Sequence, residues 1–229
     1  MSPKWIAVVG SGGKTSLLYA LGRAWAQEGK RVLLTTTTHL AMETPPDISL
    51  YTQEDGRGME RPQPGQLLLW AIPNGVGRRV GPSMEELERV ADNFDVILCE
   101  ADGSRRMPLK WHAAHEPCLP IKTQMVFYVV GLSALGKPAG EVLHRWEQSP
   151  YVQDHNMERE DVLALIRRGV EHMQTRVPVH VVLNQADDLV RRQQGMWLAQ
   201  QLKALGLCAQ VCAIQKEEYP IVDFDSWSR

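Results

Sequence analysis

Seven consecutive residues near the N-terminus have the types and spacing needed to bind phosphate groups: Gly10, Ser11, Gly12, Gly13, Lys14, Thr15 and Ser16. They follow an apolar run over residues 5–9 and precede an amphipathic stretch that begins at Leu17. This order predicts a buried strand, a glycine-rich turn and a helix, so that backbone N–H groups and the helix dipole face an anion. Lys14 would contact phosphate oxygens and Thr15 would bind Mg²⁺, which predicts a site for a nucleoside triphosphate.

The loop is shorter than the common phosphate-loop pattern G-x-x-x-x-G-K-[ST], because Val8 stands where the first glycine would be. The pattern G-x-x-G-K-T over residues 10–15 resembles the loop of Mur-type ligases and their relatives, which also bind ATP phosphates. The alternative is a glycine turn that only joins a strand to a helix. The lysine and threonine that follow the glycines argue against this alternative.

Composition and charge exclude several classes of protein. The chain has 229 residues, of which 44% are hydrophobic and 23% charged, and this is typical of a globular protein with one domain over residues 1–229. A net charge of −2 does not indicate the positively charged surface that nucleic-acid binding requires. No apolar run is long enough for a membrane span, and the early first strand leaves no room for a signal peptide. We therefore expect a cytoplasmic protein with neither a nucleic-acid nor a membrane partner.

Predicted strands and helices alternate along the chain, which is typical of an α/β protein. We predict a three-layer, P-loop-type, doubly wound and mainly parallel sheet with helices on both faces. Two irregular stretches, 43–66 and 102–123, are predicted functional insertions, because long irregular connections are uncommon in compact domains. The first predicted helix ends near residue 27, and further predicted helices cover 83–91, 140–147, 158–168 and 188–205. The predicted strands cover 5–9, 31–36, 66–72, 95–99, 124–130, 179–183 and 208–214.

The apolar strand over residues 95–99 runs directly into two acids, Glu100 and Asp102. Acids at such a position beside a phosphate loop hold Mg²⁺ or its waters. Asp102 is the stronger candidate ligand, because Gly103 lets the backbone turn close to the phosphates. Glu100 could order the metal shell or activate a water. The alternative is a pair of solvated acids at the end of a strand.

Four threonines, residues 35–38, end the second predicted strand. The carboxyl ends of strands line the ligand crevice of a doubly wound sheet, so Thr36 and Thr37 are candidate ligands of the metal. Threonine is also favoured in strands, so a purely structural role for these residues remains the alternative.

Asn184, Gln185 and Asp187 follow the predicted strand over 179–183 in the pattern N-Q-x-D. This pattern resembles the N-K-x-D guanine-recognition motif of GTPases, with Gln185 in place of the lysine. The Asp187 carboxylate could accept two hydrogen bonds from guanine that adenine cannot donate, and such pairing discriminates strongly between bases. A polar helix cap after a strand is the alternative, so both GTP and ATP remain possible ligands.

Basic side chains follow the acids and are candidates for binding an anionic second substrate. With Asp102 at the phosphates, Arg105 would lie near the same crevice and could neutralise charge on a transferring phosphoryl group. The predicted catalytic residues are therefore Lys14, Glu100, Asp102 and Arg105. The candidate anion-binding residues are Arg105, Arg106, Lys110, His115, His144 and Arg145.

Several motifs in order along the chain resemble one family, the selenium-dependent hydroxylase accessory proteins of the YqeC-like family. They are the phosphate loop, residues 35–38, 100–106, 108–110, 115–117, 131–138, 144–145 and 184–187. The resemblance covers nearly the whole chain and implies a role in maturing a molybdenum hydroxylase that needs a labile selenium cofactor. It implies a molybdenum hydroxylase or a selenium-cofactor protein as the partner and does not identify a reaction.

The leading functional interpretation is Mg²⁺-dependent binding and hydrolysis of GTP or ATP in the assembly of such a cofactor. One alternative is a kinase- or ligase-type transferase acting on a small anionic acceptor, because the same loop serves those enzymes. Another is a nucleotide-gated chaperone for the apo-hydroxylase with little turnover.

Overall fold

Helices and strands alternate through residues 2–216, which are the residues that the computed structural model describes. The helices are α1 Lys14–Gln27, α2 Met84–Val90, α3 Ala139–Val142, α4 Arg159–His172 and α5 Leu189–Ala204. The strands are β1 Lys4–Gly10, β2 Val32–Thr36, β3 His39–Leu40, β4 Ser49–Tyr51, β5 Leu67–Trp70, β6 Ile72–Pro73, β7 Arg79–Val80, β8 Val96–Glu100, β9 Leu109–Lys110, β10 Met125–Gly131, β11 Leu143–His144, β12 Val179–Asn184 and β13 Cys208–Val211.

Eight of these strands form one sheet in the order β13-β12-β10-β1-β8-β2-β5-β4. Every neighbouring pair in it is parallel. The apolar residues of β1 are buried on both faces, as expected for a central strand of a parallel sheet. Since all strands run the same way, the carboxyl ends of β1, β8 and β12 meet at one edge of the sheet.

Helices cover both faces of the sheet. On one face, Ile6 and Val8 of β1 belong to a core cluster that includes Leu17 and Leu21 of α1. On the other face, Ala7 packs in a cluster with residues of α4 and α5. Side chains alternate between the two faces of a strand, so adjacent residues of β1 join different layers. The predicted three-layer α/β architecture with a mainly parallel sheet is confirmed.

Two small sheets lie outside the main one. β3, β7 and β6 form an antiparallel sheet, and β9 pairs in parallel with β11. The predicted helix over 140–147 is wrong in its second half: α3 ends at Val142 and the chain continues as β11. Pairing with β9, which no local pattern in the sequence reveals, replaces helical hydrogen bonds there. This pairing brings His144 beside Lys110.

The other predicted elements are present with small shifts of their ends. The predicted strand over 208–214 stops at Val211, and a 3₁₀ turn covers Ile214–Lys216. Ser83 caps α2 as its type suggests, accepting a hydrogen bond from the backbone N–H of Glu86. The insertions over 43–66 and 102–123 contain only the short strands β4 and β9.

Gly10 ends β1 in a conformation and a packing that exclude a side chain. Its φ is 90°, and a Cβ there would lie 2.2 Å from the carbonyl oxygen of Val129. Gly29 has a similar φ of 80° but open space around it. We expect Gly10→Ala to lower the free energy of unfolding by about 3 kcal/mol, from left-handed strain plus steric overlap. Gly29→Ala adds only the strain and should cost about 1 kcal/mol. Equal losses in urea unfolding of both variants would contradict this packing.

Candidate functional site

The loop between β1 and α1 is built from glycines that no other residue could replace. Gly10, Gly12 and Gly13 have positive φ angles of 90°, 82° and 121°. A Cβ on Gly12 would lie 2.3 Å from the backbone nitrogen of Gly131, and one on Gly13 would lie 2.3 Å from Nδ2 of Asn184. The loop is therefore packed tightly against the ends of β10 and β12, which fixes its backbone.

Lys14 begins α1 with its side chain buried. Its Nζ donates to the carbonyl oxygen of Gly10 at 2.7 Å and to Oγ of Ser104 at 3.1 Å. The same Nζ lies 3.3 Å from Oδ1 of Asp102 and 3.9 Å from Oε1 of Glu100. The ammonium group of Lys14 thus links the glycine loop, through Gly10, to the segment after β8, through Ser104.

Asp102 is fully buried and surrounded by donors and cations. The backbone N–H of Gly10 donates to its Oδ2 at 2.9 Å. Nε2 of His112 and Nζ of Lys110 lie 3.2 Å and 3.3 Å from the same oxygen. Burial alone would raise the pKa of Asp102, but Lys14, the His112 hydrogen bond and Lys110 together lower it to about 2. Asp102 therefore stays ionised and ties the loop to the insertion over 102–123.

Glu100 and Thr15 form a pair at the start of α1. Oγ1 of Thr15 donates to Oε2 of Glu100 at 2.7 Å. Burial raises the pKa of Glu100, while Lys14 and the Thr15 hydroxyl oppose that shift. A hydroxyl and a carboxylate in contact are the donor types that Mg²⁺ prefers.

A second ionic cluster extends from Asp102 through the insertion. Nζ of Lys110 lies 3.0 Å from Oε2 of Glu116 and donates to the carbonyl oxygen of Gly103 at 2.5 Å. Both guanidinium nitrogens Nη1 and Nη2 of Arg145 donate to Glu116. Burial would raise the pKa of Glu116, but its bonds to Arg145 and Lys110 lower it to about 2. Every carboxylate of this cluster therefore has a cation beside it.

Several of these groups, among them Lys14, Glu100, Glu116 and Arg145, border one cavity of about 910 Å³. Its walls include the glycine loop, the start of α1, the turn after β8, the segment after β2 and the β11 region. The lining residues are Gly12, Gly13, Lys14, Thr15, Ser16, Thr38, His39, Leu40, Ala41, Met42, Glu43, Gly77, Arg78, Glu100, Gly103, Ser104, Arg105, Arg106, Glu116, His144, Arg145, Gln185 and Gln215.

The two acids after β8 have different surroundings. Glu100 lines the cavity, whereas Asp102 has no exposed surface and does not line it. The sequence favoured Asp102 as the metal ligand, whereas in the structure Glu100 is the acid that faces the cavity. The physical reason is that Lys14, Lys110, His112 and the N–H of Gly10 already surround its carboxylate, a set of long-range contacts that a sequence does not reveal.

The threonines after β2 also differ from expectation. Thr36 donates from Oγ1 to the carbonyl oxygen of Glu100 at 2.8 Å, and Thr37 donates to the carbonyl oxygen of Cys118 at 2.9 Å. Neither lines the cavity, whereas Thr38 does. The hydroxyls of Thr36 and Thr37 are thus committed to backbone groups that join the strand end to the neighbouring segment.

Asn184, at the end of β12, holds two loops together. Its Nδ2 donates to the carbonyl oxygen of Gly12 at 2.8 Å, and its Oδ1 accepts from the backbone N–H of Ile214 at 3.1 Å. Gln185 has a positive φ of 67° and lines the cavity beside Gln215. Asp187 is half-buried, and Nη1 of Arg191 lies 3.4 Å from its Oδ2.

Of the candidate anion-binding residues, four line the cavity: Arg105, Arg106, His144 and Arg145. Lys110 does not, because Asp102 and Glu116 already neutralise its buried ammonium. His115 is exposed and lies outside the lining. Sequence reasoning missed Ser104 and Arg78; Ser104 follows the acidic motif directly and could have been found, whereas no sequence signal marks Arg78.

Across residues 2–216, no group of three or more His, Cys, Asp or Glu side chains could hold a metal ion by itself. None of the helices within the same range is long and apolar enough to cross a membrane.

The fold and site define an α/β protein in which a glycine loop, a lysine and a threonine connect a central strand to a helix at a large cavity. Residues 6–147 match the family model described as YqeC protein. The Escherichia coli (strain K12) protein described as "Uncharacterized protein YqeC" is 36% identical over 174 residues, which cover 72% of this chain and 68% of that relative. The chain belongs to the YqeC family, which confirms the resemblance drawn from its motifs.

Among solved structures, that of chloroplast FtsY from Physcomitrella patens matches this chain in part. The superposition has a TM-score of 0.46 and 15% sequence identity, and it covers 92% of this chain. This chain spans 59% of the length of that protein.

The position of Asp102 predicts how acid and mutation affect stability. Asp102→Asn leaves Lys14 and Lys110 partly uncompensated, so we expect a loss of about 3 kcal/mol in the free energy of unfolding at pH 7. Because the folded pKa of Asp102 lies below its unfolded value, its contribution is complete above about pH 4 and is lost as pH falls towards 2. Denaturant unfolding from pH 7 to pH 2 should therefore give a shallower acid limb for the variant.

The matched control is Asp92→Asn, which removes the same charge from an exposed side chain and should change stability by less than about 0.5 kcal/mol. If Asp102→Asn and Asp92→Asn behave alike at every pH, the buried charge network does not stabilise the fold.

Proposed function

We propose that this chain binds and hydrolyses a Mg²⁺-nucleoside triphosphate, GTP or ATP, in the cavity beside the glycine loop. One observation carries the proposal: Lys14 and Thr15 start α1 at the end of a rigid glycine loop, with Glu100 in contact with both. A loop of this kind presents backbone N–H groups and a helix N-terminus to phosphate oxygens. Residues 10–16, which include Lys14, are accordingly proposed as phosphate contacts.

In this proposal, Lys14 exchanges one hydrogen-bond acceptor for another when the nucleotide binds. In the protein alone its ammonium bonds to the carbonyl oxygen of Gly10 and lies against Asp102. Phosphate oxygens of the nucleotide would replace the Gly10 carbonyl as acceptors, and Asp102 would keep the lysine in place from behind. Asp102 compensates the ammonium charge before the nucleotide binds, and this lowers the free-energy cost of burying Lys14.

Magnesium would be held by Thr15 and Glu100. Their oxygen atoms are 2.7 Å apart at the cavity wall, and Mg²⁺ characteristically takes one or two protein oxygens together with phosphates and waters. When bound, the ion would supply charge neutralisation for the phosphates. We assign Asp102 to positioning Lys14 and the loop instead, since its oxygens already face two lysines and His112.

Hydrolysis would break the bond between the γ-phosphorus and the bridging oxygen after attack by a water. Catalysis of phosphoryl transfer depends mainly on positioning and on neutralising charge at the phosphates. Lys14 and the loop N–H groups would provide this at the β- and γ-phosphates.

The base is proposed to lie towards Gln185 and Asp187. Gln185 and Gln215 line the cavity, and Asn184 fixes the start of this segment against the glycine loop. A carboxylate at Asp187 supports guanine over adenine, because guanine offers two N–H donors to it. The segment lies beyond residue 147, where the family match ends.

The biological role implied by the family resemblance is maturation of a selenium-dependent molybdenum hydroxylase or its cofactor. We propose that nucleotide turnover drives a loading or release step in that process. A transferase acting on an anionic acceptor is the second candidate function, and the arginines of the cavity wall favour it.

The test is a titration of the purified chain with Mg²⁺-GTP and Mg²⁺-ATP, with heat of binding and phosphate release recorded together. Lys14→Ala should weaken the binding of the preferred nucleotide at least 100-fold, because it removes a charged phosphate contact. Unchanged affinity in Lys14→Ala would exclude the glycine loop as the nucleotide site. Urea unfolding of the variant checks that the loss is not caused by misfolding.

Glu100→Gln is the matched comparison, since it keeps the side-chain volume and removes one charge from the proposed metal site. It should raise the Mg²⁺ concentration needed for half-maximal phosphate release while leaving binding of metal-free nucleotide nearly unchanged. Equal Mg²⁺ requirements in Glu100→Gln and the wild type would contradict the assignment of Glu100.

Asp187→Asn tests base recognition separately. If the carboxylate pairs with guanine, the variant should lose about tenfold or more of the GTP preference and keep the same Mg²⁺ dependence. Competition between GTP, ATP and ITP, which lacks the guanine amino group, measures this directly. A wild-type preference for ATP would show that residues 184–187 do not recognise guanine.

A further inference from the structure

We propose that Arg105, Arg106, His144 and Arg145 form a subsite for an anionic second substrate, a small molecule that bears a phosphate or carboxylate group. The proposal rests on the proposed function in one respect: it takes the glycine loop as the site of the nucleotide. The four residues come from two segments, the turn after β8 and the end of β11, and all line the same cavity.

Backbone strain singles out the turn after β8. Arg105 and Arg106 both have positive φ angles, 48° and 64°. Left-handed backbone is unfavourable for residues other than glycine, asparagine and aspartate, and two in succession are rare. Such strain persists only where surrounding contacts enforce it, and it concentrates at functional sites.

The surrounding contacts are present on both sides of the two arginines. Ser104 accepts a hydrogen bond from Lys14, and the backbone N–H of Met107 donates to the carbonyl oxygen of Ser104 at 2.9 Å. Lys110 holds the carbonyl oxygen of Gly103. The tip of the turn is thus fixed to the phosphate-binding lysine on one side and to the buried ionic cluster on the other.

The charges of Arg105 and Arg106 are unbalanced. Both side chains are exposed and line the cavity, and within residues 2–216 neither guanidinium has a hydrogen bond or an ion pair. A guanidinium without a partner at a cavity wall is well suited to bind oxyanions through paired N–H groups.

The β9–β11 pairing brings two further donors to this wall. Arg145 also has a positive φ, 63°, and Glu116 accepts from its two Nη atoms. Since a guanidinium has five N–H donors, three remain for a ligand. Burial and the cations Arg145, Lys110 and Arg105 lower the pKa of His144 to about 4, so its imidazole stays neutral and can still donate one hydrogen bond.

The cavity is large for a small-molecule site and carries an excess of positive charge. Its volume of about 910 Å³ is near the upper end of the range for small-molecule sites, about 300–1,000 Å³. Five cationic side chains line it, Lys14, Arg78, Arg105, Arg106 and Arg145, against three carboxylates, Glu43, Glu100 and Glu116. Glu116 compensates part of the charge of Arg145, which leaves Arg105 and Arg106 as the main positive charge of this wall.

The experiment measures binding of phenyl phosphate and of succinate by calorimetry, which distinguishes a phosphate from a carboxylate as the preferred group. It uses the full chain saturated with Mg²⁺ and a non-hydrolysable analogue of the preferred nucleotide, and also the full chain without nucleotide. Arg105→Ala/Arg106→Ala should weaken the preferred probe at least tenfold in both settings, and Arg106→Ala alone should change nucleotide affinity less than threefold. The control, Arg167→Ala/Arg176→Ala, removes the same charge from exposed residues outside the cavity and should have no effect.

Three outcomes overturn the proposal. If neither probe binds at millimolar concentration, or if the arginine pair can be removed without loss, the subsite does not exist. If Arg106→Ala weakens the nucleotide as much as the probe, this wall contacts the nucleotide itself. A wild type that binds no nucleotide would defeat the proposed function alone, because the titration of the chain without nucleotide still reports on the subsite.

Discussion

The buried contact between Lys14 and Asp102 is the interaction on which the site depends. Asp102 accepts from the backbone N–H of Gly10 and faces the lysine that starts α1, so one carboxylate fixes both ends of the glycine loop. Two charges taken out of water are costly unless each has a close partner and further hydrogen bonds. Lys110 and His112, from the insertion, lie against Oδ2 of Asp102 and add to its compensation.

This requirement explains why an irregular insertion is held so firmly against the sheet. Lys110 joins Asp102 to Glu116, and Glu116 joins Lys110 to Arg145. The charges alternate in sign along this path, so each is compensated within the protein. The same path of contacts runs from the glycine loop to Arg145 in the wall of the cavity.

Parallel strand topology decides which side chains meet. β1, β8 and β12 are separated by tens of residues in the chain, yet their carboxyl ends lie at one edge of the sheet. Glu100 and Asn184 end β8 and β12, Lys14 follows β1, and the three lie around the glycine loop. The sheet therefore supplies the frame, and the ionic contacts of the insertions determine which of the groups at its edge reach the cavity.

The sequence by itself determined the α/β architecture, the glycine loop with Lys14 and the family, because each depends on local order: apolar runs, turn residues and motif spacing. Tertiary structure alone decided that Glu100 lines the cavity while Asp102 is enclosed, that Thr36 and Thr37 bond to backbone, and that β11 replaces half of a predicted helix. These outcomes depend on contacts between residues far apart in the chain, whose partners and burial no local pattern encodes.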